Sequence, residues 1–549
     1  MAVIKKIIVL LLFLVAISCK EVSKNRNDTN LILSKPNIVV VLADDMRLDY
    51  LGAMSLNNIV ETPNLDKLAT QGSLFNNAFV TSPICTPSRT TIFTGMYERK
   101  HGVTFGANAA MTEEAWAQTY PMLLKENGYY TGYIGKNHTP IGNNENGFGY
   151  ESEVMEQSFD FWYAGHKHLT FYPKKQHKIF NGAKFDNQLD IIQEGIDNFI
   201  GADDALIKTK SFLKLRPKNN PFVLMVNFNV PHSSSTNTMK QKNNDPALYK
   251  SAFRDQIDQL PLPNNYIEKE AIISPKLPKR VYSGDYISSY DWVRTGARLK
   301  ENQIRTLQTV KGIDDVVGKL IDELEAQGQF ENTLILFTSD HGLFHGEFGL
   351  GGKTFLYDTT LRIPLIIKAP GKKVVQKETI DKLTITPDIA PTILDYAGIK
   401  IPNEMQGESI RPLLEGEKVD WRTDFFSENM FMGQNYPRME GVRSANYKYI
   451  RYFSKDRDQH HVISLVASIL GEKPIFEELF NLKNDPEESE NLAENQRYLL
   501  VLEKFRRRSE ELVLEAKGNH SFPNTHIKEV KRKVFRDSIT AIYNKLVLK

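Results

Sequence analysis

Cysteine, blocks of single-sign charge and long apolar runs are all scarce in this chain. Only two cysteines, Cys19 and Cys85, occur among its 549 residues. If Cys19 is covalently modified, as its context predicts below, no intramolecular disulfide can form, and stability must come from the core or a bound metal. The 69 basic and 67 acidic side chains give a formal charge of +2 without a long block of either sign, which argues against nucleic acid as a partner. With 41% hydrophobic and 25% charged residues, the composition is ordinary for a soluble globular protein.

The N-terminal segment, residues 1–19, has the pattern of an export signal rather than of a folded element. Two lysines at residues 5–6 precede an apolar run, residues 7–17, that is too short to span a bilayer comfortably. The segment closes with the tetrapeptide AISC, which resembles the lipobox of bacterial lipoproteins, where the cysteine is lipidated. We therefore expect Cys19 to anchor the chain to a membrane and residues 20–35 to serve as a tether. A plain cleaved signal peptide with an incidental cysteine is the alternative.

Four apolar segments predict strands that are buried on both faces of a parallel sheet. They are residues 37–43, 129–135, 221–228 and 333–338. Polar residues follow each strand at its C-terminal end, and these are, in chain order, Asp44-Asp45, Lys136-Asn137-His138, Pro231-His232 and Asp340-His341. Because ligands of open α/β sheets bind outside the carboxyl ends of the strands, the four segments predict one shared pocket.

The predicted fold class is α/β, with a large, mostly parallel sheet sandwiched by helices and a smaller C-terminal α+β subdomain. Residues 304–324 carry apolar side chains at three- and four-residue steps before Gly328, which predicts a helix among these strands. After about residue 418, strand-like segments are followed by charged helical sequence. We therefore divide the folded chain into a catalytic domain, residues 36–418, and a subdomain, residues 419–549.

Acidic side chains at the ends of two predicted strands form a candidate metal site. Adjacent carboxylates raise each other's free energy of ionisation, and a divalent cation relieves that repulsion. Asp44, Asp45 and Asp340 offer the hard oxygen ligands that calcium or magnesium prefers, although an Asp-Asp pair after a strand also occurs as a turn or helix cap. A helix predicted to begin at Pro87 and Ser88 would aim backbone N–H groups at an anion such as a sulfate or phosphate ester.

One segment carries a specific family resemblance. Cys85-Thr86-Pro87-Ser88-Arg89, with Thr94-Gly95, resembles the signature of type I sulfatases, which belong to the alkaline phosphatase-like superfamily. Further motifs similar to those of the family follow in the expected order: Ala43-Asp44-Asp45, Gly135-Lys136-Asn137-His138, Pro231-His232, Thr338-Ser339-Asp340-His341-Gly342, Lys353, and the closing segment from Glu478 to Leu492. The resemblance extends from Pro36 into the last hundred residues.

The resemblance implies a modified nucleophile at Cys85. In that family a separate maturation enzyme oxidises the signature cysteine to formylglycine (3-oxoalanine), whose aldehyde hydrates to a geminal diol. One hydroxyl attacks sulfur, and the second lets the sulfated adduct collapse to the aldehyde and expel sulfate. A small buried cysteine without a chemical role is the alternative at this position.

The resemblance also implies the ligands and charges around that nucleophile. The expected ligands of one divalent metal are Asp44, Asp45, Cys85, Asp340 and His341. Many family members carry asparagine where this chain has His341, and imidazole is a softer ligand than calcium usually takes. Because some sulfatases similar to iduronate sulfatase share the Asp-His pair, Ca²⁺ is expected, with Mg²⁺ and Mn²⁺ left open.

The remaining catalytic assignments follow from the same motifs. Arg89 and Lys136 are expected to hold the diol, and Lys353 the sulfate oxygens. His138 would take a proton from the second hydroxyl, and His232 would protonate the departing alcohol. A helix-capping or core role is the alternative for His232. Three further histidines, His166, His168 and His345, are interpreted as ordinary or substrate-side residues.

The function predicted from this resemblance is an exported sulfatase that hydrolyses sulfate esters of a carbohydrate, most plausibly a sulfated polysaccharide or its oligosaccharides. Its expected location is the periplasm, or the outer membrane or cell surface as a lipoprotein. A phosphodiesterase or phosphonate monoester hydrolase of the same superfamily and an inactive glycan-binding lipoprotein are the alternatives. Substrate specificity is expected in residues 159–185 and 232–300, where Trp162, Tyr163 and Trp292 either stack on sugar faces or pack in the core.

Overall fold

The computed structural model describes residues 35–106, 109–201, 216–217, 220–235, 237–273, 275–282, 288–371, 378–454, 461–518 and 524–527. The predicted signal segment, Cys19 and all of the predicted tether except Lys35 therefore lie outside the described residues. Among the helices described, none is both long enough and apolar enough to cross a membrane.

An eight-stranded sheet forms the centre of the fold. Its strands are β1 (Asn37–Asp44), β2 (Ser73–Phe75), β3 (Tyr130–Asn137), β4 (Phe161–His166), β5 (Phe222–Pro231), β6 (Thr333–Ser339), β7 (Leu365–Lys368) and β8 (Glu378–Ile380). Their spatial order is β8-β2-β7-β6-β1-β5-β3-β4. All described neighbours in this sheet pair in parallel except for β7, which is antiparallel to β6 and β2.

The four strands predicted from apolar runs are the centre of this sheet. β1 lies between β6 and β5, with Val41 opposite Phe337 on one side and Val226 on the other. Every residue of β1 is buried, as expected for a strand covered on both faces. The prediction of a mostly parallel α/β sheet is confirmed, and the observed strands end one to three residues beyond the predicted ranges.

Helices cover both faces of the sheet. The longer ones are α1 (Pro63–Gln71), α2 (Cys85–Thr94), α3 (Tyr120–Glu126), α4 (Gln188–Ile200), α5 (Gly296–Ala326), α6 (Ile389–Tyr396) and α7 (Leu499–Lys517). α1, α4 and α5 pack with one apolar cluster, whereas α2, α3 and α6 pack with the other. The predicted helix over 304–324 lies within α5, which ends before Gly328. Gly328 itself has a left-handed conformation, which glycine adopts without strain.

Short elements complete the described chain. The shorter α-helices are Glu98–His101, Glu113–Ala117, Val154–Ser158, Ala247–Lys250, Asp358–Leu361, Arg411–Leu414 and His461–Val466. Short strands pair as Ala78–Phe79 with Thr384–Ile385, Ala109–Met111 with Thr525–Ile527, Asn143–Asn144 with Gly147–Phe148, and Phe344–His345 with Gly351–Gly352.

A second, smaller sheet follows the central one along the chain. Its four antiparallel strands are β9 (Asp424–Asn429), β10 (Met439–Ser444), β11 (Tyr447–Tyr452) and β12 (Phe476–Asn481), in that spatial order. α7 packs on this sheet through an apolar cluster that includes Val442, Tyr449 and Phe505. The predicted α+β architecture of the C-terminal region is confirmed, while the boundary at residue 418 stays a prediction.

Candidate active site

The predicted site residues meet at one edge of the central sheet. Asp44 ends β1, Lys136 is the second-to-last residue of β3, and Asp340 follows β6. His232 comes directly after β5. Because these strands are parallel neighbours, their carboxyl ends lie side by side, and the shared pocket predicted from the sequence follows from that geometry.

Cys85 is the first residue of α2. The sequence predicted that this helix begins two or three residues later, at Pro87 and Ser88. That boundary was wrong because Ile84, in an extended conformation, already precedes the first helical residue. The Cys85 thiol is fully buried and Arg89 lies one helical turn further on. The corrected start brings the Cys85 side chain to the N-terminal end of α2, where the helix dipole favours negative charge.

Three polar side chains surround the Cys85 sulfur. Lys353 Nζ lies 2.9 Å from Sγ, His341 Nε2 lies 3.3 Å away, and Asp44 Oδ1 lies 3.5 Å away. Lys353 Nζ also donates to Asp45 Oδ1 at 2.9 Å. Burial raises the pKa of the Cys85 thiol to about 12, and the Asp44 carboxylate adds to this shift. The unmodified thiol is therefore a poor nucleophile near neutral pH.

Cations pair with the carboxylates below this sulfur. Lys136 Nζ donates to Asp44 Oδ2 in a short contact, and the Asn229 amide donates to the same oxygen at 2.8 Å. Arg89 Nε donates to Asp340 Oδ2 at 2.8 Å. Burial by itself would raise the pKa of Asp44, but the neighbouring positive charges, Lys136 first, hold that pKa well below its usual value.

Three histidines form a row along the open side of the pocket. The His168 ring stacks on His232 with centroids 4.7 Å apart and meets His138 edge-on at 4.5 Å. His168 Nδ1 also lies 3.4 Å from Lys136 Nζ. Burial, reinforced by nearby lysines, lowers the pKa of His138 and His232 well below the usual value.

Sequence reasoning missed two members of this arrangement. His168 was interpreted as an ordinary or substrate-side residue, yet it contacts the Lys136 ammonium and both predicted catalytic histidines. Asn229 was not singled out, although an amide inside the apolar strand β5 is a signal that a buried polar partner exists. His166 lies further away and pairs with Glu156 and Asn137.

The predicted metal ligands are close enough to share one ion. Ligand atoms of Asp44, Asp45, Cys85 and His341 all lie within 4.8 Å of one another. Asp340 adjoins them, since its Oδ1 accepts the Asp45 N–H at 3.1 Å and lies 3.7 Å from His341 Nε2. Buried Asp45 Oδ2 accepts no hydrogen bond from any described residue, which leaves a hard oxygen free for a cation. The residues therefore fit a divalent metal.

The three aromatic residues predicted near the substrate divide into two groups. Trp162 and Tyr163 belong to β4, where Trp162 stacks on Tyr133 at 5.0 Å and both residues pack in the core. Trp292, by contrast, lines a cavity beside His232. Of the two roles that the sequence left open, core packing applies to Trp162 and Tyr163. Of these three residues, only Trp292 adjoins the pocket.

Comparison with known proteins agrees with this fold. A family model described as Sulfatase matches residues 36–399, and one described as N-sulphoglucosamine sulphohydrolase, C-terminal, matches residues 346–468. An N-acetylglucosamine-6-O-sulfatase of Bacteroides thetaiotaomicron is 26% identical, with 88% of this chain and 87% of the relative covered.

Two solved structures share the fold. One, a complex with its substrate D-glucosamine-2-N,6-O-disulfate, has a TM-score of 0.60 at 23% identity and covers 89% of this chain and 100% of its own. The other, the phosphonate monoester hydrolase of Agrobacterium radiobacter, has a TM-score of 0.61 at 21% identity and covers 90% and 100%.

The fold is that of the alkaline phosphatase-like superfamily. Because the matching family model spans more than half of the chain, the protein belongs to the sulfatase family and is a sulfuric ester hydrolase. The resemblance found in the sequence is thereby confirmed. Membership implies a metal ion and a formylglycine derived from cysteine.

Proposed function

We propose that this protein is an exported sulfatase that removes sulfate esters from a sulfated polysaccharide or its oligosaccharides. The observation that carries the proposal is the position of Cys85. Its sulfur lies within 3.5 Å of Lys353, His341 and Asp44. A formylglycine made there would present its hydroxyls to fixed charges that suit a sulfate group.

A carbohydrate substrate is supported by the relatives. The similar protein of Bacteroides thetaiotaomicron is named as an N-acetylglucosamine-6-O-sulfatase, and a structural neighbour was solved with a sulfated glucosamine. A further relative, 27% identical over 89% of this chain and 86% of its own length, is named as an ulvan-active sulfatase of Formosa agariphila. These names favour a sulfated sugar as the alcohol component of the ester.

The groups that the chain would hold have separate tasks. Asp44, Asp45, Asp340 and His341, with the modified Cys85, would hold one divalent metal, and Ca²⁺ best suits the carboxylate-rich set. When bound, the metal supplies Lewis-acid polarisation of the sulfate oxygens. The formylglycine supplies a hydroxyl nucleophile and a route to release sulfate by carbonyl formation.

The cationic side chains would orient the reacting groups. Lys136 and Arg89 are already held by Asp44 and Asp340, so neither has to reorganise when substrate arrives. Lys353 lies nearest to the Cys85 side chain and would neutralise the sulfate oxygens. The rigid pairing of these cations stabilises negative charge that develops on the equatorial oxygens.

Two histidines would move the protons. His138 Nδ1 is buried and makes no hydrogen bond with any described residue, so this ring can accept a proton during sulfate release. His232 Nε2 lies 3.7 Å from Asp45 Oδ2 beside the cavity, where the ring, once it has taken up a proton, would pass that proton to the departing sugar oxygen and return to its neutral form. The S–O bond to the sugar breaks as that proton arrives, which leaves a neutral alcohol.

Export and maturation require partners outside the chain. A formylglycine-generating enzyme would convert Cys85, and lipidation of Cys19 would anchor the protein at the periplasmic face or the cell surface. The export signal in residues 1–19 supports this location.

The proposal is tested by sulfate release from sulfated oligosaccharides. Protein co-expressed with a maturation enzyme is compared with its Cys85→Ala variant, and mass spectrometry verifies conversion of Cys85. Sulfate release by the matured protein alone is the expected result. A phosphonate monoester serves as the control substrate, because a structural neighbour is named as a hydrolase of that class. Verified formylglycine with phosphonate turnover and no sulfate release would replace the proposal by that second function.

A further inference from the structure

A cavity of about 380 Å³ opens beside the predicted leaving-group acid, His232. Its size lies within the range of about 300–1,000 Å³ that is typical of small-ligand pockets. Asp45 and His232 form the end nearest to Cys85, and residues from β5, α5 and the segment around Tyr290 enclose the remainder. The cavity therefore adjoins the site and has room for a sugar ring.

Aromatic rings form one continuous wall of this cavity. Starting at His232, the ring centroids follow one another at 6.5 Å to Tyr290, 6.4 Å to Trp292, 5.6 Å to His345 and 5.8 Å to Tyr50. Faces and edges of such rings suit the apolar C–H face of a sugar.

Neutral polar groups accompany the wall and lack partners. The hydroxyls of Tyr50 and Tyr290, the indole N–H of Trp292 and the amide of Asn302 make no hydrogen bond with any described residue. All four residues are more than nine-tenths buried and line the cavity. Polar groups in a cavity lining that have no partner of their own are available to a ligand with hydroxyl or amide groups.

Positive charge is missing from the same lining. Among the described residues that enclose the cavity there is no lysine or arginine, and the Asp45 carboxylate is the one formal charge. His345, the histidine of the wall that is not assigned a proton-transfer role, does not change this, because burial and the nearby Arg47 hold its pKa well below the usual value. A carboxylate or second sulfate placed here would lose its hydration without gaining a cation.

We propose that this cavity binds the sugar ring that carries the scissile sulfate and selects a ring without a second anionic group. The inference rests on the proposed sulfatase function and deepens it. A monosulfated hexose or N-acetylhexosamine fits the aromatic wall and the neutral donors, whereas the second anionic group of a sulfated uronate or a disulfated ring meets no lysine or arginine in the lining. The discrimination arises from an unfavourable environment for the wrong substrate as much as from contacts with the right one.

The test compares matched substrates on the matured full-length protein. N-acetylglucosamine and galactose, each carrying one sulfate at a series of positions, are paired with counterparts that carry a second sulfate or a carboxylate. We expect kcat/KM to be at least about tenfold higher for the singly charged member of each hydrolysed pair, the effect of one unpaired buried charge. Equal rates, or preference for the doubly charged member, would overturn the inference.

A substitution in the cavity sharpens the test. Asn302→Lys introduces a cation into the cavity lining and should reduce the preference by about tenfold or more, whereas Asn302→Gln adds no charge and should retain the preference. Thermal melting verifies that both variants fold. A preference that is unchanged in folded Asn302→Lys would contradict the assignment of the cavity.

An aryl sulfate separates the two ways of failing, because it tests the chemistry without a sugar. Verified formylglycine with turnover of neither aryl nor sugar sulfates would refute the proposed function and, with it, the cavity assignment. Turnover of the aryl sulfate and of doubly charged sugars alone would leave the sulfatase intact and refute only the cavity assignment.

Discussion

Two clusters of buried charge, one at the active site and one beneath the C-terminal sheet, differ in how completely they are paired. The second, the Arg99 cluster, comprises Arg99, Glu428, Glu440 and Arg451. Arg99 donates to both Glu428 oxygens at 2.9 Å and to Glu440 at 2.6 Å. Glu440 also accepts from Arg451 at 2.7 Å and from Ser468. Every carboxylate oxygen of the Arg99 cluster thus has a donor.

The site cluster, formed by the charged residues around Cys85, is incomplete. Asp45 Oδ2, Arg89 Nη1 and His138 Nδ1 are buried and have no hydrogen-bond partner among the described residues. Unpaired buried polar atoms destabilise a fold unless a ligand satisfies them. The comparison indicates that the Arg99 cluster holds the small sheet to the rest of the chain, whereas the site cluster is arranged for an ion and a substrate.

Metal removal should have the largest effect and should act on the site cluster alone. Exhaustive chelation is expected to lower sulfatase turnover by at least about 10³-fold, because several kcal/mol of charge stabilisation is lost. Far-ultraviolet circular dichroism should not change, since the Arg99 cluster needs no ion. Re-addition of Ca²⁺, Mg²⁺ or Mn²⁺ in parallel identifies the ion, and full activity in protein shown by elemental analysis to be metal-free would contradict the assigned ligands.

Arg99→Met tests the opposite side of the comparison. It removes the cation that pairs with buried Glu428 and leaves Glu440 with Arg451 as its remaining cation, so the free energy of unfolding should fall by about 3–5 kcal/mol. The matched control is Arg508→Met, which breaks a partly exposed pair with Asp424 and should cost at most about 1 kcal/mol. Denaturant unfolding measures both. Equal losses in the two variants would show that the Arg99 cluster has no special structural role.

His138→Gln should separate activity from stability. The ring is neutral and His138 Nδ1 has no partner, so little stability is at stake, whereas loss of a proton acceptor should lower kcat by about 10²-fold. His177→Gln is the control, because His177 also has a lowered pKa and an unpartnered buried ring nitrogen but lies outside the site. A similar kcat in the two variants would remove His138 from the mechanism.

Acid sensitivity provides the smallest effect. Burial would raise the pKa of Glu440, but Arg99 and Arg451 outweigh it and lower that pKa to about 2 from 4.5. A carboxyl with a lowered folded-state pKa stabilises the protein above its unfolded pKa, and this stability is lost as pH falls from 4.5 towards 2. The contribution of Glu440 to the pH dependence of the free energy of unfolding should reach at most about 1.4 kcal/mol per pH unit. Unfolding measured across this window should show a shallower slope in Glu440→Gln, and an identical slope would refute the linkage.

The sequence was sufficient for the fold class and for the centre of the site. Apolar runs such as residues 37–43 predict buried parallel strands because few other elements tolerate apolar side chains on both faces. The start of α2 was placed too late because the local sequence favours Pro87 near a first helical turn, whereas the structure begins the helix at Cys85.

The neighbours of the site were less accessible to sequence reasoning. His168 and Asn229 join the site only because β4 and β5 flank β3 and bring their ends together. Nothing local marks Trp292 as a cavity residue and Trp162 as a core residue, since both are large aromatic side chains in apolar surroundings.

The amino-acid sequence by itself determined which side chains carry charge and chemistry and which segments become buried strands, because both depend on residue type and on local period. The tertiary structure decided which carboxylates find cations, which polar atoms remain unpaired beside Cys85, and that Tyr50, Trp292 and Asn302 enclose one cavity without lysine or arginine in its lining. These outcomes depend on strand order and on contacts between residues far apart in the chain. Pairing and desolvation are properties of those contacts, and no local pattern encodes them.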